Sequence, residues 1–210
     1  LYPYTPFSLF IRRKLFIHNM GHATCAYLGG LLGLQYIWQA AEDPCVRLIV
    51  ERAMRESARA LAREFDYPLE AMLEHIDDLV LRFGNRALGD TVARVGRDTG
   101  RKLGASDRFA GALKLCEEKG VPTMYICVGA AAAMFFRSEN DEGTDYIRTL
   151  LAVEGIDAVL TRHMALSPKS RSAEYIKAYY AMLCRGANIA QLLNAAQSFE
   201  AERLSARKIV

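Results

Sequence analysis

Lys14-Leu-Phe-Ile-His-Asn19-Met-Gly-His22-Ala-Thr-Cys-Ala-Tyr-Leu-Gly29 sets a lysine, an asparagine and two histidines into one short apolar run. Polar groups rarely interrupt such a run without a use, because burying them unpartnered is costly. The apolar spacing predicts a helix. On an ideal α-helix, Lys14, His18, His22 and Asn19 fall at about 0°, 40°, 80° and 140° around the axis. One face then carries a base, an amide donor and two imidazoles, which is chemistry suited to moving a proton at a hydroxyl group.

Outward from this stretch, helical spacing continues along the whole chain. A long helix is expected over 13–38, bent near Gly29-Gly30 or Gly33. Asp43-Pro44 reads as a cap followed by a first-position proline, opening a helix to about Glu64. Pro68 opens another that stops at Gly84, and a short helix is expected over 86–95. Ser106 or Asp107 caps a helix to Lys119, and 122–136 reads as a buried helix rich in alanine. Two shorter helices fill 144–164, Ser172 caps a helix to Cys184, and a last helix covers 188–205. The charge-rich stretch from Glu200 to Val210 is expected to fray or to pack on a neighbour. No stretch alternates as a strand would. The expected fold class is all-α and multi-helical, one unit over residues 1–210.

A chain of 210 residues that is 51% hydrophobic and 24% charged buries a sizeable core and reads as soluble and globular. A net charge of +3 does not argue for a nucleic-acid partner. The five cysteines at 25, 45, 116, 127 and 184 are odd in number and form no Cys-x-x-Cys pair. Buried thiols in a reducing cytoplasmic protein fit better than a disulfide scaffold. The apolar run 125–136 is too short to span a bilayer, so no membrane association is expected. The chain starts at Leu1, and Leu1-Tyr-Pro-Tyr-Thr-Pro-Phe7 reads as a lead-in loop, so a piece of a longer protein is expected.

A second block carries most of the local charge: Asn85-Arg-Ala-Leu-Gly-Asp-Thr-Val-Ala-Arg94-Val-Gly-Arg97-Asp98-Thr-Gly-Arg101-Lys102-Leu-Gly-Ala-Ser-Asp107-Arg108. Guanidinium groups bind oxyanions through paired hydrogen bonds, so the block is a candidate for a sugar or polyol phosphate, with Arg97 and Arg101 as first choices. The alternative is a solvated loop whose arginines pair with Asp90, Asp98 and Asp107. His18 and His22 lie one turn apart, but no third ligand is evident and no metal is expected. Gly29-Gly30-Leu-Leu-Gly33 lacks the order and the preceding strand of a nucleotide loop, and reads as helix packing or a bend.

The spacing Lys14, four residues, Asn19, two residues, His22 resembles the signature of the polyol-specific long-chain dehydrogenases, the mannitol dehydrogenase family. The basic block resembles the same family, in the same order along the chain. The resemblance implies a C-terminal substrate domain with the helical fold of 6-phosphogluconate dehydrogenase C-terminal regions. It implies NAD as cofactor, bound mainly by an N-terminal Rossmann domain absent from this chain, and no metal. Lys14 would be the general acid/base, with Asn19 and His22 orienting and polarising the reacting oxygen. Arg94 and Lys102 would contact the polyol, with His18 beside them. The implied function is an oxidoreductase of hexitol metabolism, inactive as this piece alone. Another polyol or hexuronate member of the family is the alternative. A non-catalytic helical interaction domain is the reading from a different class, and it predicts an exposed Lys14 with no cleft around it. A working site requires the first helix and the basic block to meet in space.

Overall fold

The computed structural model describes residues 6–207, and within them every regular element is helical. The lead-in residues 1–5 and the last three, 208–210, lie outside the described residues. The chain opens with α1 (Phe7–Arg13), a π-helical segment (Lys14–Asn19) and α2 (Met20–Leu31), which follow one another without a break. The expected long helix therefore starts earlier and stops sooner. Leu32 ends it and Gly33, at φ +69°, turns the chain away, so Trp38 belongs to a separate helix, α3 (Ile37–Glu42).

Asp43 caps α4 (Pro44–Phe65) as expected, accepting from the Cys45 and Val46 amides at 2.9 Å each. Next comes α5 (Leu69–Phe83). The short helix expected over 86–95 is two pieces: a 3-10 turn (Arg86–Leu88) and α6 (Val92–Gly96), parted by Gly89 at φ +60°. Following α7 (Thr99–Leu103), α8 (Ala110–Glu118) begins later than Ser106 or Asp107 would have it. Both residues stay in the preceding loop, where Asp107 turns its carboxylate to Arg108.

The centre of the fold is α9 (Met124–Ala133), buried at every residue. It packs on α2, on α4 and on α12 (Arg171–Cys184). A β-carbon on Gly129 would stand 2.5 Å from the Thr24 hydroxyl, so only glycine lets α2 and α9 approach this closely. Its first turn is held from outside. Glu56 of α4 is buried, and its carboxylate accepts from the Tyr125 and Ile126 amides at 3.2 and 2.9 Å. Burial pushes this carboxyl well above its ordinary range, against the pull of the two amides.

The remaining elements are α10 (Glu142–Glu154), α11 (Ile156–Ala158), a second π segment (Val159–His163), then α12 and α13 (Ile189–Arg207). Ser170, not Ser172, caps α12; its hydroxyl accepts from Ala173, while Ser172 is buried and donates to Thr123. The C-terminal helix is tied down at Glu200, which pairs with Arg52 at 2.7 Å and accepts from the Tyr125 hydroxyl at 2.8 Å.

Candidate active site

Lys14 and Asn19 are the two ends of the π segment, and this corrects the helical wheel. In a π turn the backbone bond joins residues five apart, where an α turn joins residues four apart. Lys14 and Asn19 are separated by five, so the wider turn sets them nearer to one face than the about 140° of an ideal α-helix would. Lys14 is exposed, and Asn19 is half-buried with a side-chain amide that makes no hydrogen bond among the described residues.

His18 and His22 sit behind them against α5. Their rings lie 6.1 Å apart, and His22 stacks on Phe83 at 4.9 Å and 11°. Burial, then the charges of His18, Arg94, Arg82 and Lys102, bring His22 down to about 4. His18 is lowered as well, by burial first and then by Arg82, His75 and Lys14. Both imidazoles are neutral near pH 7. The nearby charges felt by this pair are mostly positive, and they come from Lys14 in the π segment and from α5, α6 and α7.

Asp90 stands beside this face, and motif reasoning passed over it except as a neutralising partner. Its carboxylate lies 3.3 Å from Nε2 of His22 and also pairs with Arg94. The carboxylate stands close to Nε2 without a formed hydrogen bond, so His22 keeps both ring nitrogens available to a ligand. A local pairing fixes Asp90: its carbonyl accepts from the Ile37 amide at 2.9 Å, and Tyr36 and Thr91 form an antiparallel bridge beside it. The signal that could have found it is sequence position, one helical turn before Arg94. A recess of about 50 Å³ is lined by His18, His22, Trp38, Arg82, Asn85 and Asp90, among others.

The first helix and the basic block thus meet, as a shared site requires, but only part of the block reaches the histidines. Arg94 is exposed and turned onto Asp90. Lys102 is buried, and its ammonium donates to the Val95 carbonyl at 2.7 Å and to the Arg97 carbonyl, closing the C-terminal end of α6. Burial, then Arg108 and Arg101, lower Lys102 to about 8. Arg101 pairs with Asp98 at 2.6 Å and Arg108 with Asp107 at 2.8 Å, so the three aspartates do neutralise three arginines. Arg97 is exposed with no ion pair among the described residues, and neither it nor Arg101 lines the recess beside the histidines.

The block is anchored to α10. The Asp98 amide donates to the Asp141 carboxylate at 2.8 Å, and the Thr99 hydroxyl donates to Thr144 at 3.2 Å. Among the described residues, no group of three or more His, Cys, Asp or Glu side chains gathers to hold a metal. No described helix is long and apolar enough to cross a membrane.

The run from Gly29 to Gly33 is not a nucleotide loop. There is no strand among the described residues for a phosphate loop to follow. Gly29 is buried at the end of α2, where a β-carbon would stand 2.9 Å from Ala40 and 3.1 Å from Val92, so it serves helix packing.

The chain is a helical domain of the polyol dehydrogenase class, and it belongs to the mannitol dehydrogenase family. Residues 7–197 match the sequence model of the mannitol dehydrogenase C-terminal domain. A mannitol-1-phosphate 5-dehydrogenase of Caldanaerobacter subterraneus subsp. tengcongensis is 37% identical over 171 residues, covering 81% of this chain and 44% of that protein. Among solved structures, Pseudomonas fluorescens mannitol 2-dehydrogenase in ternary complex with NAD and D-mannitol shares the fold. Its TM-score is 0.70 at 18% identity, covering 93% of this chain and 42% of that one. A substrate-free D-sorbitol dehydrogenase does so at 0.69 and 15%, covering 91% and 41%. The chain spans under half the length of each of these relatives.

Proposed function

We propose that this chain is the substrate and proton-transfer half of an NAD-dependent mannitol-1-phosphate 5-dehydrogenase, interconverting D-mannitol 1-phosphate and D-fructose 6-phosphate. The observation that carries the reading is the convergence of Lys14, Arg82, Arg94 and Lys102 on the His18–His22 pair, against the single carboxylate of Asp90. Such a field favours an anionic substrate. The named relative at 37% identity supports the same choice.

In the oxidative direction the Lys14 amine accepts the proton of the hydroxyl being oxidised. The Asn19 amide donates to that oxygen as charge develops on it. His22, neutral and with Asp90 beside it, accepts a hydrogen bond from a substrate hydroxyl at a ring nitrogen. His18 and Arg94 flank the polyol chain, and Lys102 holds the loop beneath it. NAD, held by a Rossmann domain preceding this one, would take the hydride, and without that domain this chain would not turn over. A lysine works as a base near neutral pH only when water is removed from it or cations crowd it. Lys14 is exposed, so the reading requires the nucleotide-binding domain to close over it. Phe7, Phe10 and Ile11, which are 75%, 41% and 53% exposed on the same helical run, supply apolar surface for that closure.

A neutral-polyol dehydrogenase of the same family is the second reading, and the aspartate pairing of Arg94, Arg101 and Arg108 favours it. The test follows NADH oxidation by the two-domain protein with fructose 6-phosphate and with fructose, in wild type and Lys14→Ala. Turnover of the phosphate alone, lost in the variant, is the expected result. Preference for fructose moves the assignment to the second reading. Full activity in the variant overturns the role of Lys14.

A further inference from the structure

The cations near the histidines differ in what they are free to do. Arg94 is committed to Asp90. Lys102 is buried on two backbone carbonyls. Arg86 pairs with Glu42 at 2.8 Å and lies over the Trp38 ring at 4.2 Å. Arg82, in the last turn of α5, is exposed and has no acidic partner among the described residues. It lines the same recess as His18, His22, Asn85 and Asp90. No motif of the family resemblance contains it.

We propose that Arg82 is the specificity-determining residue that reads an oxyanion on the end of the substrate, docking it in the recess between α5 and the His18–His22 face. A pocket for a whole small ligand runs to about 300 Å³ or more. This recess, at about 50 Å³, has room for one terminal group while the polyol chain lies along the open face above it. A guanidinium with no carboxylate partner offers two parallel donors to a phosphate or carboxylate edge. Arg97 and Arg101 lie off this recess, so Arg82 replaces them as the anion reader. A cation in the last turn of a helix also has a purely structural use, since it complements the helix dipole. The test must separate the two.

The inference rests on the proposed dehydrogenase reading. The experiment measures kcat and KM of the two-domain protein for fructose 6-phosphate, for fructose and for a hexuronate, in wild type, Arg82→Gln and Arg82→Lys, with thermal unfolding of each. The expected result is a KM for fructose 6-phosphate raised roughly 10- to 100-fold in Arg82→Gln, the loss of one charged hydrogen-bond pair. The preference for phosphate over fructose falls by the same factor, Arg82→Lys recovers part of it, and the unfolding midpoint does not move. A role limited to the helix dipole would lower the midpoint and leave the preference intact, which overturns the inference. Wild-type preference for the phosphate with an unchanged KM in Arg82→Gln also overturns it, while the dehydrogenase reading stands. Wild-type turnover of the hexuronate in place of the phosphate, with the same dependence on Arg82, keeps the oxyanion assignment and makes its source a carboxylate. Wild-type preference for fructose removes both the phosphate reading and the inference.

Discussion

The signature helix and the basic block both hold lysine beside arginine, yet they spend their charge in opposite ways. Along 14–22 the Lys14 ammonium and the Asn19 amide are unbonded among the described residues, while the two histidines back onto α5. Along 94–108 most of the charge is already partnered: Lys102 closes a helix end, and Arg94, Arg101 and Arg108 each meet an aspartate, with Arg97 left exposed and without an ion pair among the described residues. The first region is arranged to meet something from outside. The second holds a loop together, and Asp90, just before it, joins Arg94 to His22 of the first. A cluster of cations in sequence is therefore not yet an anion site; what decides is which of them the fold leaves without a carboxylate.

The sharpest way to break this contrast is to exchange the lysines. Lys14→Ala should lower kcat of the two-domain protein roughly 10²- to 10⁴-fold. Its unfolding midpoint should stay where it is, because the side chain is exposed. An unchanged rate would make the outward face ornamental. The buried imidazoles come next. His22 sits at about 4 when folded, against an ordinary value of 6.5. Its contribution is complete above pH 6.5 and is lost as pH falls toward 4, a decline of roughly 3 kcal/mol. His18 and His75 are lowered too and act in the same direction. Unfolding free energies measured from pH 7 to pH 4 should show this fall, and His22→Gln should flatten it.

Smaller effects belong to the block. Lys102→Ala leaves the Val95 and Arg97 carbonyls without their donor and should cost about 1–3 kcal/mol of stability by denaturant unfolding. A variant as stable as wild type, with lost activity, would move Lys102 from the scaffold to the outward face. Arg101→Ala removes a largely exposed ion pair with Asp98 and should shift stability by no more than about 1 kcal/mol, with KM for fructose 6-phosphate unchanged. A large rise in that KM would return Arg101 to the substrate site.

Much of the fold was legible wherever one residue type does one job. Asp43-Pro44 starts α4, Gly84 stops α5, and the alanine-rich run before Met134 is the buried centre. Ends chosen by competition were not. Ser170 and Ser172 are equally good caps by composition, and tertiary packing gave Ser172 to Thr123. The lysine, asparagine and histidine of the candidate site stand out in the sequence because they interrupt an apolar run. The π turn that runs between two of them leaves no compositional trace, since it changes the backbone bond and not the residue types. Arg82 was equally silent, because an arginine near a helix end has an ordinary explanation.

The Glu56 carboxylate reaches the start of α9 across 69 and 70 residues of sequence. That link bears on the order of assembly. The helix α9 has no polar face of its own and cannot persist in water before its neighbours arrive. A long loop must close before Glu56 can cap it. The Tyr125 and Ile126 amides should therefore exchange their hydrogens only when the whole domain opens, making them reporters of global unfolding rather than of local fraying.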